Sequence, residues 1–140
     1  MIPSIKKQFP PDLKKLQAKA DTLFQLGRRL EESDEHGNCE CISCGVFKHY
    51  KQMQGGHYIS RQYTAVKYEK NNCWPQCVHC NHFLKGNVVR YRKNLIKIVG
   101  EREVLRLESK MEEIVPFKRL LIEKVIEEYS WAKKGKNDRI

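Results

Sequence analysis

The sequence predicts an α+β protein in which a small, metal-stabilised module is flanked by N-terminal and C-terminal α-helices. Three observations carry this. Apolar residues recur at helical spacing near both ends of the 140-residue chain. All six cysteines fall between Cys39 and Cys80, and four of them form two Cys-x-x-Cys pairs. The stretch between those pairs is rich in His, Gly and Asn but poor in apolar residues. It lacks a core of its own, so a structural ion is the expected substitute.

The elements follow in chain order. Pro10-Pro11-Asp12 opens a helix, because proline suits the first turn and an acid favours the positive end. Leu13, Leu16, Ala20, Leu23 and Leu30 continue it, Gly27 interrupts the stripe, and the helix ends near Glu32. Ser33-Asp34-Glu35-His36-Gly37-Asn38 reads as a linker. Residues 1–36 are thus an amphipathic helix and linker, whose stripe packs on the module or on a second copy of itself. Residues 37–99 are the cysteine-framed module with its following helix. Within it, His57-Tyr58-Ile59-Ser60 reads as a short strand and Thr64-Ala65-Val66-Lys67-Tyr68 as a second extended piece. After Gly86-Asn87, the residues Val88, Tyr91, Leu95 and Val99 mark a helix with Gly100 as its stop. Residues 100–140 supply the C-terminal helices and a basic tail. Glu101 to Ile114 is helical through Val104, Leu107 and Met111. Pro116 opens the last helix, with Phe117, Leu120, Leu121, Val125 and Tyr129 on one side. The tail from Lys133 is charged and frayed.

Hydrophobic residues make up 40% and charged residues 31% of the chain, the balance of a globular protein rather than a disordered one. No apolar run approaches membrane-spanning length. The N-terminus lacks an apolar stretch before a small-residue cleavage site, so a cytoplasmic location is expected. Thiols stay reduced there, which favours metal ligation over disulfides. The net charge of +10 is unevenly spread. Residues 37–99 hold 10 basic side chains against Glu40 and Glu69, leaving +8, whereas residues 1–36 and 100–140 balance 7 against 6 and 10 against 9. A nucleic acid is the natural partner for the central excess, because phosphate neutralisation releases counterions.

Cys41, Cys44, Cys77 and Cys80 have the spacing of a structural zinc site, since each tight turn points two sulfurs at one ion. The 32 residues between the pairs exceed a plain zinc-ribbon spacing, so the ion pins the ends of an inserted element. Cys39 and Cys73 read as small buried residues, with Cys39 a competitor of Cys41. No βαβ pattern supports a redox role for either pair.

The insert holds Gly55-Gly56-His57-Tyr58-Ile59-Ser60-Arg61, then Asn71-Asn72-Cys73-Trp74-Pro75-Gln76-Cys77-Val78-His79-Cys80-Asn81-His82. These residues resemble the His-Asn-His/His-Asn-Asn (HNH) nucleases, whose active site is a ββα-metal fold. His57, Asn72 and Asn81 occupy that family's three positions. The zinc frame with Asn directly after its last Cys is also similar to phage endonuclease VII. A closer resemblance joins Cys-Ile-Ser-Cys-Gly, Gly-His-Tyr-Ile-Ser-Arg, Asn-Cys-x-x-Gln-Cys-x-x-Cys-Asn and Gly-Asn-x-x-x-Tyr-Arg to the NinG/Rap family of phage recombination proteins. It runs from about Cys41 through the helices after Gly86. It implies metal-dependent endonucleolytic cleavage of branched DNA, including Holliday junctions, in the host cell cytoplasm.

The residue types suit that chemistry. Phosphodiester hydrolysis needs a base for water and a divalent ion on the phosphate. His57 can take the water's proton, Asn81 can give an oxygen to Mg²⁺ or Mn²⁺, and Asn72 holds the strand so that His57 points correctly. Arg61, Lys85, Arg90 and Arg92 are candidate phosphate contacts. Many of these nucleases carry Asp immediately before the first His, where this chain has Gly56. Glu69 is the hypothesised replacement ligand, although a solvent-facing acid is the simpler reading. His82 is the alternative base if His57 binds the ion. His36, His49 and His79 have no spacing partner. Two other classes compete: a non-catalytic zinc-ribbon DNA-binding protein and a helical adaptor. Cutting both arms of a junction would need two sites, so a homodimer is expected.

Overall fold

The computed structural model describes residues 12–135. The expected opening at Pro10-Pro11 and the end of the basic tail lie outside them. Asp12 is the N-cap of α1 (Leu13–Glu31), its side chain accepting the Lys14 N–H at 3.1 Å. Two antiparallel hairpins follow. The first pairs β1 (Asn38–Glu40) with β2 (Phe47–His49), and the second pairs β3 (Met53–His57) with β4 (Cys73–Cys77). In the second register, Met53 faces Cys77, Gly55 faces Pro75 and His57 faces Cys73. Between β3 and β4 lie α2 (Thr64–Lys67) and a 3₁₀ turn, Lys70–Asn72. The chain then passes through a π-helical turn, His79–Phe83, into α3 (Val88–Val99), α4 (Glu101–Ser109) and α5 (Lys118–Tyr129). The result is a mixed α+β architecture with two small two-stranded sheets.

The β3–β4 hairpin lies between α1 and α3. On one side, Gly55 approaches the Gln25 backbone so closely that a Cβ would sit 2.9 Å from Gln25 Cβ. On the other side, the Tyr91 hydroxyl of α3 donates to Gly56 O at 2.6 Å, and Tyr91 packs with Trp74, Leu95, Ile42 and Val104. The apolar stripe of α1 meets both the module and α5. Ala20, Leu23, Phe24 and Leu30 are buried with Cys73, Ile122, Val125, Tyr129 and Ala132. Each fully buried large apolar side chain there contributes about 1.5–3 kcal/mol relative to exposure. Gly27 has its reason in this contact, since a Cβ would lie 2.3 Å from Tyr129 Cδ1.

Three elements differ from the sequence expectation. The strand expected at His57–Ser60 ends at His57, because the Asn72 carboxamide takes the Ile59 N–H at 2.8 Å and the Ile59 carbonyl at 3.1 Å, where a ladder would need them. The extended piece expected at Thr64–Tyr68 is one helical turn, closed by Val66 N–H on Tyr63 O at 3.1 Å. The helix expected to reach Ile114 stops at Ser109, whose hydroxyl turns back to Arg106 O at 2.7 Å. Gly100 stops α3 as its spacing predicts, with φ of +90° that suits glycine.

Candidate functional site

Cys41, Cys44, Cys77 and Cys80 converge, with all four sulfurs within 4.8 Å of one another. Cys44 Sγ and Cys77 Sγ are 3.7 Å apart. A tetrahedral ion with bonds of about 2.3 Å to sulfur has edges of roughly 3.8 Å, so this cluster could hold a metal ion such as zinc. Polar hydrogens already surround the sulfurs. Cys77 N–H donates to Cys41 Sγ at 3.3 Å, Cys80 N–H to Cys77 Sγ at 3.4 Å, and the Asn87 amide to Cys80 Sγ at 3.4 Å. Burial pushes the Cys77 and Cys80 thiols up. At Cys41 burial also opposes ionisation, but N–H groups of Cys44, Cys77 and Ser43 outweigh it and bring the thiol down to about 7. Cys39 packs against Cys41, Cys77 and Cys80 without joining the converging sulfurs, and Cys73 is buried in the α1–α5 core.

Beside the cluster opens a polar cleft of about 630 Å³, lined by Gln25, Arg29, Met53, Gln54, Gly55, His57, Ser60, Arg61 and Asn81. It brings His57, Arg61 and Asn81 together. His57, half-buried at the end of β3, has its Nε2 2.9 Å from Lys67 O. A carbonyl only accepts, so Nε2 carries the proton and Nδ1 keeps its lone pair. Burial first, then the charges of Arg61 and Lys67, bring His57 down to about 4, so the ring is neutral at pH 7. Asn81 lies in the turn after Cys80, and its amide donates to Gln54 Oε1 at 2.7 Å.

Asn72 is fully buried and does not reach the cleft. Its Nδ2 donates to Ile59 O and Val66 O, both at 3.1 Å, and its Oδ1 accepts the Ile59 N–H. That bonding ties the segment after His57 to the turn that supplies Lys67 O. Glu69 does not line the cleft either, contrary to the expected ligand role. Arg106 Nη2 at 3.1 Å and Lys110 Nζ at 3.4 Å hold its carboxylate against α4. Burial works against that charge, but the two cations outweigh it and keep the acid below its usual range. Arg92 is likewise not a free phosphate contact, because it clasps Glu108 through Nε at 3.0 Å and Nη2 at 3.2 Å. Lys85 and Arg90 are exposed, with no carboxylate partner among the described residues. His82 is exposed with its ring edge-on to Phe83, outside the cleft lining.

Sequence reasoning missed Gln54, Gln25 and Arg29. Gln54 is an odd number of residues from His57, so the alternation of a regular strand argues against their sharing a site. Arg29 carries no mark among the 27 basic residues. Gly56 faces inward: a Cβ there would lie 2.0 Å from Gln76 Oε1, so no side chain fits directly before His57.

Among the described residues no helix is long and apolar enough to cross a membrane. The sequence profile of the family described as Bacteriophage Lambda NinG protein matches residues 5–137. Curated relatives include the proteins named ninG of Escherichia phage 933W, Escherichia phage lambda and Salmonella phage P22. Each is 37% identical over 70 residues, covering 49% of this chain and 34% of the relative. The alignment thus spans about a third of those proteins' own length. No solved structure matches the chain.

Proposed function

The chain belongs to the NinG family of bacteriophage proteins, and from that premise we propose that it is a metal-dependent DNA endonuclease acting on branched DNA such as Holliday junctions. In this reading β3, β4 and the helical segment after Cys80 are an HNH-like ββα-metal finger. Zinc on Cys41, Cys44, Cys77 and Cys80 is its frame. The observation that carries the reading is His57: Nε2 is tied to Lys67 O, which leaves Nδ1 as the acceptor in a cleft shared with Asn81.

The chemistry follows from those groups. A water held at His57 Nδ1 gives up its proton as its oxygen attacks phosphorus. The incoming phosphate also brings negative charge that raises the basicity of the ring. Mg²⁺ or Mn²⁺, when bound, would neutralise the phosphate and stabilise the leaving oxygen. The fit of the cleft to such an ion is partial. Among the described residues no carboxylate lines it, so the protein donors are the amide oxygens of Asn81 and Gln54. Substrate oxygens would have to complete the set, which suits an ion that arrives with DNA. Arg61, Lys85 and Arg90 are left to contact the backbone. Action on both arms of a junction favours a homodimer in the cytoplasm of the host.

The missing carboxylate also favours one competing reading, a DNA-binding zinc module without catalysis. The two part on one experiment. The protein and its His57→Ala variant are incubated with a labelled four-way junction and the matching linear duplex, in Mg²⁺ and then Mn²⁺. Metal-dependent nicks confined to the junction and absent from the variant are expected. Binding without nicks in either metal would overturn the nuclease and leave the binding module.

A further inference from the structure

Asp21, Gln25 and Arg29 fall at i, i+4 and i+8, so they share one face of α1. That face follows β3. Asp21 accepts from Lys67 Nζ at 3.1 Å, next to the carbonyl that His57 uses. Gln25 lies against Gly55. Arg29 Nη1 donates to Met53 O at 3.2 Å. Eight helical residues rise about 12 Å, and the four steps from Met53 to His57 span about 13 Å of strand. Helix and strand therefore keep pace, and Arg29 stands at the end of the cleft opposite His57.

Arg29 is held firmly there. Besides Met53 O, Nη1 donates to Tyr50 O at 3.0 Å and Nε to Gln25 O at 3.2 Å. These carbonyls fix the guanidinium without neutralising it, and no carboxylate pairs with it among the described residues. A half-buried cation without a counter-charge is costly, and an anion in the cleft relieves that cost. Arg61, exposed and also without an acid among the described residues, lines the cleft beyond His57.

We infer that α1 forms one wall of the nucleic-acid path, and that Arg29 anchors a backbone phosphate on the same path as the one presented to His57 but not adjacent to it, with Arg61 as the second anchor. The inference rests on the proposed function only for its choice of a nucleic-acid backbone as the anion. Arg29 is a binding residue rather than a catalytic one, because about 13 Å of strand separates its contact from His57.

The test reads binding without cleavage. Affinity for a four-way junction and for a duplex is measured over a salt series, without Mg²⁺ or Mn²⁺, for the wild type, Arg29→Gln and Arg61→Gln. Thermal midpoint and bound zinc serve as folding controls. Each variant is expected to reduce the slope of log K against log[salt] by about 0.9 on duplex. In cleavage assays Arg29→Gln should raise KM with kcat unchanged, because the contact is the same in ground and transition states. An Arg29→Gln protein with wild-type slope and affinity overturns the inference. If that variant fails to fold, the wild type is titrated with duplex while the Arg29 Nε–H signal is followed by NMR. A shift supports the anchor, and an unmoved signal overturns it. Arg29-dependent binding without any cutting would support this inference while overturning the nuclease.

Discussion

His57 Nε2 and the carbonyl oxygen of Lys67 are 2.9 Å apart, and this contact determines which ring nitrogen is left to accept from the cleft. Lys67 is itself anchored, its ammonium 3.0 Å from Asp21 Oδ1 on α1. The tautomer is therefore set by three separated pieces of chain. ¹⁵N correlation spectra of the imidazole should show His57 protonated at Nε2 at pH 7. Protonation at Nδ1 would remove the proposed base.

The same residue sets a pH dependence. Burial, with Arg61 and Lys67, brings His57 from 6.5 down to about 4. The acid limb of kcat/KM should therefore fall well below pH 6. Stability follows the same sign. Between about 4 and 6.5 the unfolded chain binds the proton that the folded chain refuses. The contribution is complete above 6.5 and is lost as pH falls through that window. Denaturant unfolding at pH 7 and pH 5 should show a larger loss for the wild type than for His57→Gln. Equal losses would contradict the buried, neutral ring.

Asn72 should be indispensable for stability although it never meets substrate. It is fully buried with three hydrogen bonds to Ile59 and Val66. Asn72→Ala orphans an N–H and two carbonyls, and a loss of about 3 kcal/mol is expected from buried groups left unsatisfied. Asn72→Asp should fare no better, because a carboxylate cannot donate to Ile59 O and Val66 O. Urea denaturation measures both. A loss under about 1 kcal/mol would mean that water replaces the clasp.

The frame of the site was legible in the sequence, and its walls were not. Two Cys-x-x-Cys pairs announce themselves by spacing, and Gly100 marks the end of α3 because a stop signal is local. His57 and Asn81 stand at fixed offsets from that frame. Asn72 was expected to hold the strand, whereas its bonds go to Ile59 and Val66 beyond the strand's end, contacts with no local signal. Glu69 and Arg92 looked available because their partners, Arg106 with Lys110 and Glu108, come from α4 and its C-cap, far along the chain. Gly27 looked like a break in a stripe until Tyr129 of α5 filled it. The register of α1 on β3, which brings Arg29 to the cleft, is a tertiary fact with no local signal.

Removal of the ion should sort the six cysteines. Cys77→Ser should lose bound zinc and unfold the module, whereas Cys39→Ser and Cys73→Ser should retain about one zinc per chain. Burial raises the Cys77 and Cys80 thiols, so zinc must displace their protons, and affinity should weaken as pH falls. Metal analysis after dialysis at pH 7.5 and pH 5.5 checks both. A zinc-free Cys39→Ser protein would place Cys39 in the ligand set.

Gly27→Ala tests the α1–α5 contact. In a free helix the change gains up to about 1 kcal/mol. Here the new methyl meets Tyr129 Cδ1 at 2.3 Å, inside a core of Phe24, Ile122 and Val125. Overpacking of about 1–3 kcal/mol should win, so the thermal midpoint should drop. A rise would show that Tyr129 gives way freely.

Gly56→Asp would place directly before His57 the acid that the proposed HNH-like reading lacks, and it should fail. Its Cβ would lie 2.0 Å from Gln76 Oε1 and 2.7 Å from Gln76 Cβ. Gln76 cannot swing aside cheaply, because its Nε2 is held by Ser43 Oγ at 2.9 Å and Gly86 O at 2.7 Å. Among the described residues Gln76 Oε1 has no hydrogen-bond partner, so a carboxylate would also face an unsatisfied carbonyl-type oxygen. Strain and a buried charge together cost several kcal/mol, enough to unfold a small module. Gln54→Glu is the informative contrast. Gln54 is exposed in the cleft beside Asn81, where a carboxylate stays solvated and faces the proposed ion. Cleavage by Gln54→Glu should saturate at lower Mg²⁺ than the wild type, while Gly56→Asp should lose folded protein. A folded Gly56→Asp protein with improved Mg²⁺ response would refute this account of Gly56, and an unchanged Mg²⁺ requirement in Gln54→Glu would remove Gln54 from the ion's donors.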